Sequence, residues 1–153
     1  MRKIFSLLLV ALCVSCQSDN VIDKLDTDFA DNRWGADTIK SFSFTIEKEG
    51  EYDVYVRFSH VAGFQFREIP IELSLTTPNA PVYLLTQSLK VVDESGKDKG
   101  DCSGDICDLE QRFTSRLTLL PGQYVATLQQ RFPNAYLPNV LGAGIRITPS
   151  SNK

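Results

Sequence analysis

The chain is short of histidine, of excess positive charge and of long apolar runs. His60 is its only histidine. A Ser-His-Asp arrangement can be drawn around it on paper, but no nucleophile elbow or comparable local motif accompanies it. His60 is therefore expected to be a solvent-exposed residue at a strand end. Paired carboxylates for glycoside hydrolysis need a spacing that exists only in three dimensions, and among 19 acidic side chains some pair is always on offer. With only 16 basic side chains against them, nucleic acid is a poor partner, because phosphates demand a basic stripe. The same balance argues against polybasic docking on anionic lipid. No segment beyond the N-terminus shows a sustained 3.6-residue apolar stripe, and no internal repeat is visible. The apolar run from Ile4 to Val14 is 11 residues long, whereas a membrane-spanning helix takes about 20.

That run has the length of a secretory h-region. Arg2 and Lys3 give it a positive n-region, and Ser15 places a small side chain just before Cys16. The pattern is that of a bacterial lipoprotein signal. Diacylglycerol is added to the Cys16 sulfur, the chain is cut before it, and the new amine is acylated, palmitate being a typical chain. The position three before the cysteine, normally Leu, is Cys13. An ordinary secreted protein is the alternative. Removing residues 1–15 takes away Arg2 and Lys3 and leaves 14 basic against 19 acidic side chains, a formal −5. The mature chain then reaches the membrane through its acyl chains, several of which together anchor it durably.

Residues 16–30, mostly polar, read as the lipidated N-terminus and a tether, and residues 31–150 as a single domain. From Trp34 onward the dominant period is two, the mark of half-buried strands. Phe42, Phe44 and Ile46 alternate with polar residues, and after the Glu49-Gly50 turn so do Tyr52, Val54, Val56 and Phe58. Ile69 to Leu75, Phe113 to Leu119, Tyr124 to Leu128 and Ile145 to Ile147 continue the pattern. Val82 to Val92 supply two short strands or one bent strand, and Asp93 to Asp108 form a long polar stretch. About seven or eight short strands predict an all-β fold, an antiparallel β-sandwich of jelly-roll-like type.

Outside the cytoplasm an isolated cysteine pair tends to oxidise. Cys102 and Cys107 enclose the turn-competent Ser103-Gly104-Asp105-Ile106, so a local disulfide contributing about 2 kcal/mol is the leading reading. Free thiols, or a partner cysteine in another chain, are the alternatives. A structural zinc site lacks a second ligand pair near these cysteines. Asp98, Asp101, Asp105 and Asp108 crowd the same loop without the ligand alternation of a calcium loop, so a solvated acidic loop is expected, with no metal and no cofactor. Tyr55, Phe64, Phe66, Phe132 and Tyr136 lie off-phase or in loops. They fold back onto the core, stack on a sugar, or anchor a protein partner.

The order of features resembles the gliding-motility lipoprotein family GldH of the Bacteroidota, over nearly the whole chain. A lipobox cysteine, Cys16, precedes Trp34 and the F-x-F strand Phe42-Ser43-Phe44. Tyr52 to Arg57 and the aromatic loop Phe64-Gln65-Phe66-Arg67 follow. The C-terminal signature is Pro121-Gly122-Gln123-Tyr124, then Gln129-Gln130-Arg131-Phe132, then Leu137 to Ile145. The family usually carries a Gly-Trp stretch in its middle loop; here Gly96 to Gly100 has no Trp and the cysteine pair follows. The resemblance implies a non-enzymatic lipoprotein of the cell envelope, lipid-anchored most simply in the outer membrane. It further implies association with the gliding and type IX secretion apparatus. Contact with other envelope proteins makes Arg57, Phe64, Phe66, Arg67 and Arg131 candidate interface residues, although a guanidinium can equally brace strand ends. A cell-surface glycan-binding module is the rival reading.

Overall fold

The computed structural model describes residues 19–78 and 82–151. Cys16, its signal segment and its lipidation lie outside the described residues. The described chain is nearly all β. Its strands are β1 (Ile22–Asp26), β2 (Arg33–Gly35), β3 (Lys40–Ile46), β4 (Gly50–Val61), β5 (Glu68–Thr76) and β6 (Tyr83–Lys90). They continue with β7 (Asp101–Ser103), β8 (Ile106–Leu119), β9 (Gly122–Gln130), β10 (Tyr136–Pro138) and β11 (Val140–Pro149).

Alternation explains the long strands. In β3 every second residue from Lys40 to Ile46 is buried and the ones between are exposed, and β5 buries Ile69, Ile71, Leu73 and Leu75 in the same way. Such a strand must lay one face on a partner layer. The layers are a sheet ordered β1-β11-β4-β8-β7 and a sheet ordered β3-β9-β5-β6, packed face to face, with a small β10-β2 pair beside them. Leaving aside β2, β7 and β10, the two four-strand orders are those of a jelly roll, two Greek keys closed into a sandwich. Trp34, Phe58, Tyr124, Leu128 and Ile145 lie between the layers, almost wholly buried.

The connections divide between two ends. Short links (β3 to β4, β5 to β6, β8 to β9) gather at one, called here the hairpin end. The longer crossovers (β1 to β3, β4 to β5, β6 to β8, β9 to β11) gather at the other. Contacts between those crossovers fix the crossover end: Val61 N–H donates to Asn139 O and Val91 N–H to Arg67 O.

Two expectations need correction. The stretch read as tether contains β1, which pairs with β11 from Ile22↔Ile147 to Asp26↔Ala143. Its alternate positions are Ile22, Lys24 and Asp26, so only one apolar side chain marks it. The two main sheets form the expected sandwich, with the short β7 added to the eight strands of the jelly roll. The polar stretch Asp93–Asp108 is not all loop, because β7 and the start of β8 form a hairpin within it. Val82–Val92 resolves as the single strand β6.

Candidate functional site

The crossover end gathers most of the residues with chemical potential. β4 carries its inward phase past Tyr52, Val54, Val56 and Phe58 to His60, which is completely buried. This overturns the expected solvent-exposed histidine: β4 runs on to Val61, and the following loop folds Phe64 over the ring. Phe64 lies 5.0 Å from the His60 ring and 5.6 Å from Phe58. Register then sets His60 in one row with Val140 on one side and Cys107 on the other, with Cys102 beyond Cys107. Cys102 and Cys107 are joined by a disulfide across the β7–β8 hairpin.

Asp98 reaches this row from the β6–β7 connection, held by a bridge to Val92. Its Oδ2 lies 3.8 Å from Cys107 Sγ and 4.0 Å from Cys102 Sγ, and the Gly63 N–H donates to it at 3.4 Å. The side-chain ligand atoms of His60, Asp98 and Cys107 lie within 4.8 Å of one another. Asp101, Asp105 and Asp108 do not join them. His60 Nδ1 is 2.9 Å from Val61 O. A carbonyl only accepts, so Nδ1 carries the proton and Nε2 the lone pair. Both His60 Nε2 and Asp98 Oδ1 are buried with no hydrogen-bond partner. Sequence periodicity held a signal for this, since His60 shares the phase of Phe58.

The candidate interface residues serve mostly as bracing. Phe64 is buried, while Phe66 and Phe132 are half-buried against the core and 4.3 Å apart between ring centroids. Arg67 Nη2 donates to Asp93 O at 2.9 Å and Glu94 O at 2.8 Å, closing the loop onto β5. Asp93 Oδ1 in turn accepts from the Ser95 hydroxyl and from the Ser95 and Lys97 amides. These bonds, the hydroxyl's first, hold its carboxyl below the ordinary range. Arg131 forms a two-point pair with Glu72 at 2.9 and 3.3 Å, which raises its already high pKa. Arg57 pairs with Asp23 of β1.

The outer faces of the two sheets differ. On the five-stranded sheet the rows Asp23–Arg146–Tyr55–Arg112 and Leu25–Gly144–Arg57–Glu110 run side by side. Two ion pairs tie them together, Arg57 to Asp23 and Arg146 to Glu110, and a third links Arg112 to Asp53 at 3.7 Å. The Arg146 guanidinium also lies 4.0 Å over the Tyr55 ring. On the four-stranded sheet the corresponding rows are Ser41–Thr127–Ser74–Leu84 and Ser43–Val125–Thr76. Ser74 and Thr127 share a hydrogen bond of 2.8 Å. Leu84 is 60% exposed and Val125 38%. Toward the hairpin end this face opens into a depression of about 610 Å³ lined by Ser43, Thr45, Thr76, Gln123 and Val125.

Against this geometry stands the family comparison. A model of the GldH lipoprotein family matches residues 21–147, from the residue before β1 to within β11. The chain belongs to the GldH lipoprotein family. No curated protein matches it. Among solved structures, the Eiger TNF from S. frugiperda is similar at 14% identity and a TM-score of 0.37, over 72% of this chain and 66% of that one. The chain thus spans just under two thirds of that structure's length. The jelly-roll assignment rests on the strand orders above and not on this likeness. As a GldH lipoprotein the chain is a gliding-motility lipoprotein, lipid-anchored in the cell envelope, from a family not known for enzymes.

Proposed function

We propose that this GldH lipoprotein is anchored through an acylated Cys16 in the outer membrane and acts without catalysis. Its role is that of an interaction component of a gliding motility or type IX secretion assembly. The observation that carries the reading is the family match across the folded part. The surface supports it in one respect. The outer face of the four-stranded sheet presents hydroxyls, amides and the exposed Leu84 and Val125, with no charge on the rows nearest the hairpin end. Burying such a surface against a protein avoids the cost of stripping water from ions. Confinement to the membrane adds effective concentration near other envelope proteins. The rival glycan reading asked for a flat exposed row of rings; Phe64, Phe66 and Phe132 turn inward, Tyr55 is covered by Arg146, and Tyr136 is exposed beside Arg33.

Two experiments test this reading together. Deleting the gene, with secretion and surface spreading scored separately, should impair at least one of them. A photo-crosslinking residue at Val125 should capture a gliding or secretion component in cells, whereas one at Arg112 on the opposite face should not. A deletion strain normal in both traits, or no envelope partner at Val125, overturns the proposal.

A further inference from the structure

The residues around His60 look like a metal site with one ligand locked away. A histidine that ligates a metal usually donates its other ring N–H to a carbonyl or carboxylate, which fixes the tautomer and aims the lone pair. His60 has this arrangement: Nδ1 faces Val61 O and Nε2 is buried without a partner. The second orphaned atom, Asp98 Oδ1, belongs to the carboxylate that reaches the cysteine pair. A buried acceptor with no donor is costly, and here two belong to one cluster of side chains with no donor for either. Both are electron-pair donors, so a cation satisfies them and a further acceptor does not. The sulfur completing the group, Cys107 Sγ, is tied up in the bond to Cys102.

We propose that reduction of the Cys102–Cys107 disulfide opens a Zn²⁺ site made of His60 Nε2, the Asp98 carboxylate and the Cys107 thiolate. Cys102, released from the bond and free to rotate, supplies the fourth ligand. Imidazole, carboxylate and thiolate in a four-ligand set suit zinc and form a closed, structural site. The reductant is an external dithiol. It passes two electrons to the disulfide and becomes a disulfide itself, and its two protons end on Cys102 and Cys107. Zinc then displaces both protons as the thiolates bind, so affinity rises with pH. The end of the sandwich would thus exchange one cross-link for another, with the metal reaching from β4 and β8 to the β6–β7 connection.

The test uses the full-length lipoprotein in detergent, as isolated and after treatment with dithiothreitol and anaerobic desalting. Co²⁺ is titrated as a spectroscopic probe, followed by competition with Zn²⁺. The expected result is one equivalent bound only after reduction, with a thiolate-to-cobalt charge-transfer band and tetrahedral d–d bands. The double variant Cys102→Ser/Cys107→Ser should lose the band, which separates this site from any thiol elsewhere. Asp98→Asn, a change outside the core, should weaken binding by at least ~10-fold while leaving the far-ultraviolet circular dichroism unchanged. Absence of the band after reduction, equal binding before and after, or undiminished affinity in Asp98→Asn would each overturn the proposal.

Discussion

The two outer faces of this sandwich solve the problem of meeting water in opposite ways. On the five-stranded face nearly every charge has a partner on a neighbouring strand, as Arg57 has Asp23 and Arg146 has Glu110. On the four-stranded face the central rows carry hydroxyls, amides and two exposed apolar residues. Exposed ion pairs contribute little stability, with a median of about 0–1 kcal/mol, but they are costly to dehydrate. The laced face is therefore suited to stay wet and the hydroxyl face to be covered. On the four-stranded face the charged pairs, such as Arg131–Glu72 and Lys90–Glu68, keep to the crossover end and leave the central rows free for a partner.

The largest expected effect comes from breaking the laced face at its backbone. A Cβ on Gly144 would fall 2.0 Å from Lys24 O and 2.7 Å from Leu25 Cα, so Gly144→Ala cannot keep β1 in place. Loss of stability should reach roughly 3 kcal/mol, the upper end of ordinary overpacking, read as a lowered midpoint in urea. An unchanged midpoint would show that β1 contributes little. Next, the double change Leu84→Asp/Val125→Glu should abolish complementation while moving stability by no more than about 0.5 kcal/mol. The same phenotype from charge changes on the five-stranded face would erase the distinction.

A smaller effect separates the faces by pH. Hydrogen bonding to Ser150, and further to the Arg116 amide, holds the Asp53 carboxyl below its ordinary pKa. Arg146 does the same for Glu110. A depressed folded pKa stabilises fully above the ordinary carboxylate range and loses that contribution as pH falls through the folded values. Melting temperature should therefore drop from about pH 4.5 downward. Asp53→Asn with Glu110→Gln should flatten that slope, and Leu84→Asp/Val125→Glu should not. The smallest effect is that of Arg57→Ala, expected to cost about 0–1 kcal/mol and to leave spreading unchanged. A large functional loss there would return Arg57 to the role of a recognition residue.

The sequence was legible where chemistry is local and illegible where register decides. β3, β4, β5 and β9 announced themselves by alternation, because each lays one face on the core. β1 did not, because the positions that alternate with Ile22 are the exposed Lys24 and the half-buried Asp26 at the sheet margin. There the buried Lys40 amine donates to Asp26 at 2.9 Å and to Asp28 O at 2.6 Å, so Asp26 is satisfied and not excluded. The cysteine pair was visible as a short turn-competent spacing. Its neighbour His60 lies 47 residues upstream of Cys107 in the sequence, and only the β4–β8 register sets the two side by side. The uncharged rows near the hairpin end were equally hidden, since they exist only when the strands line up their polar phases.

The pairing of β1 with β11 also sets a leash length. Five residues separate Cys16 from Ile22, a contour of about 20 Å. Asp19 to Val21 line a depression with Thr45, Glu47 and Lys48 at the hairpin end. A ten-residue strand such as β11 is roughly 33 Å long. On the proposed lipidation of Cys16, the sandwich would be moored by its hairpin end with the crossover end held outward. Membrane-embedded partners would then meet the four-stranded face near its base, and soluble or long-reaching ones the cysteine-bearing tip.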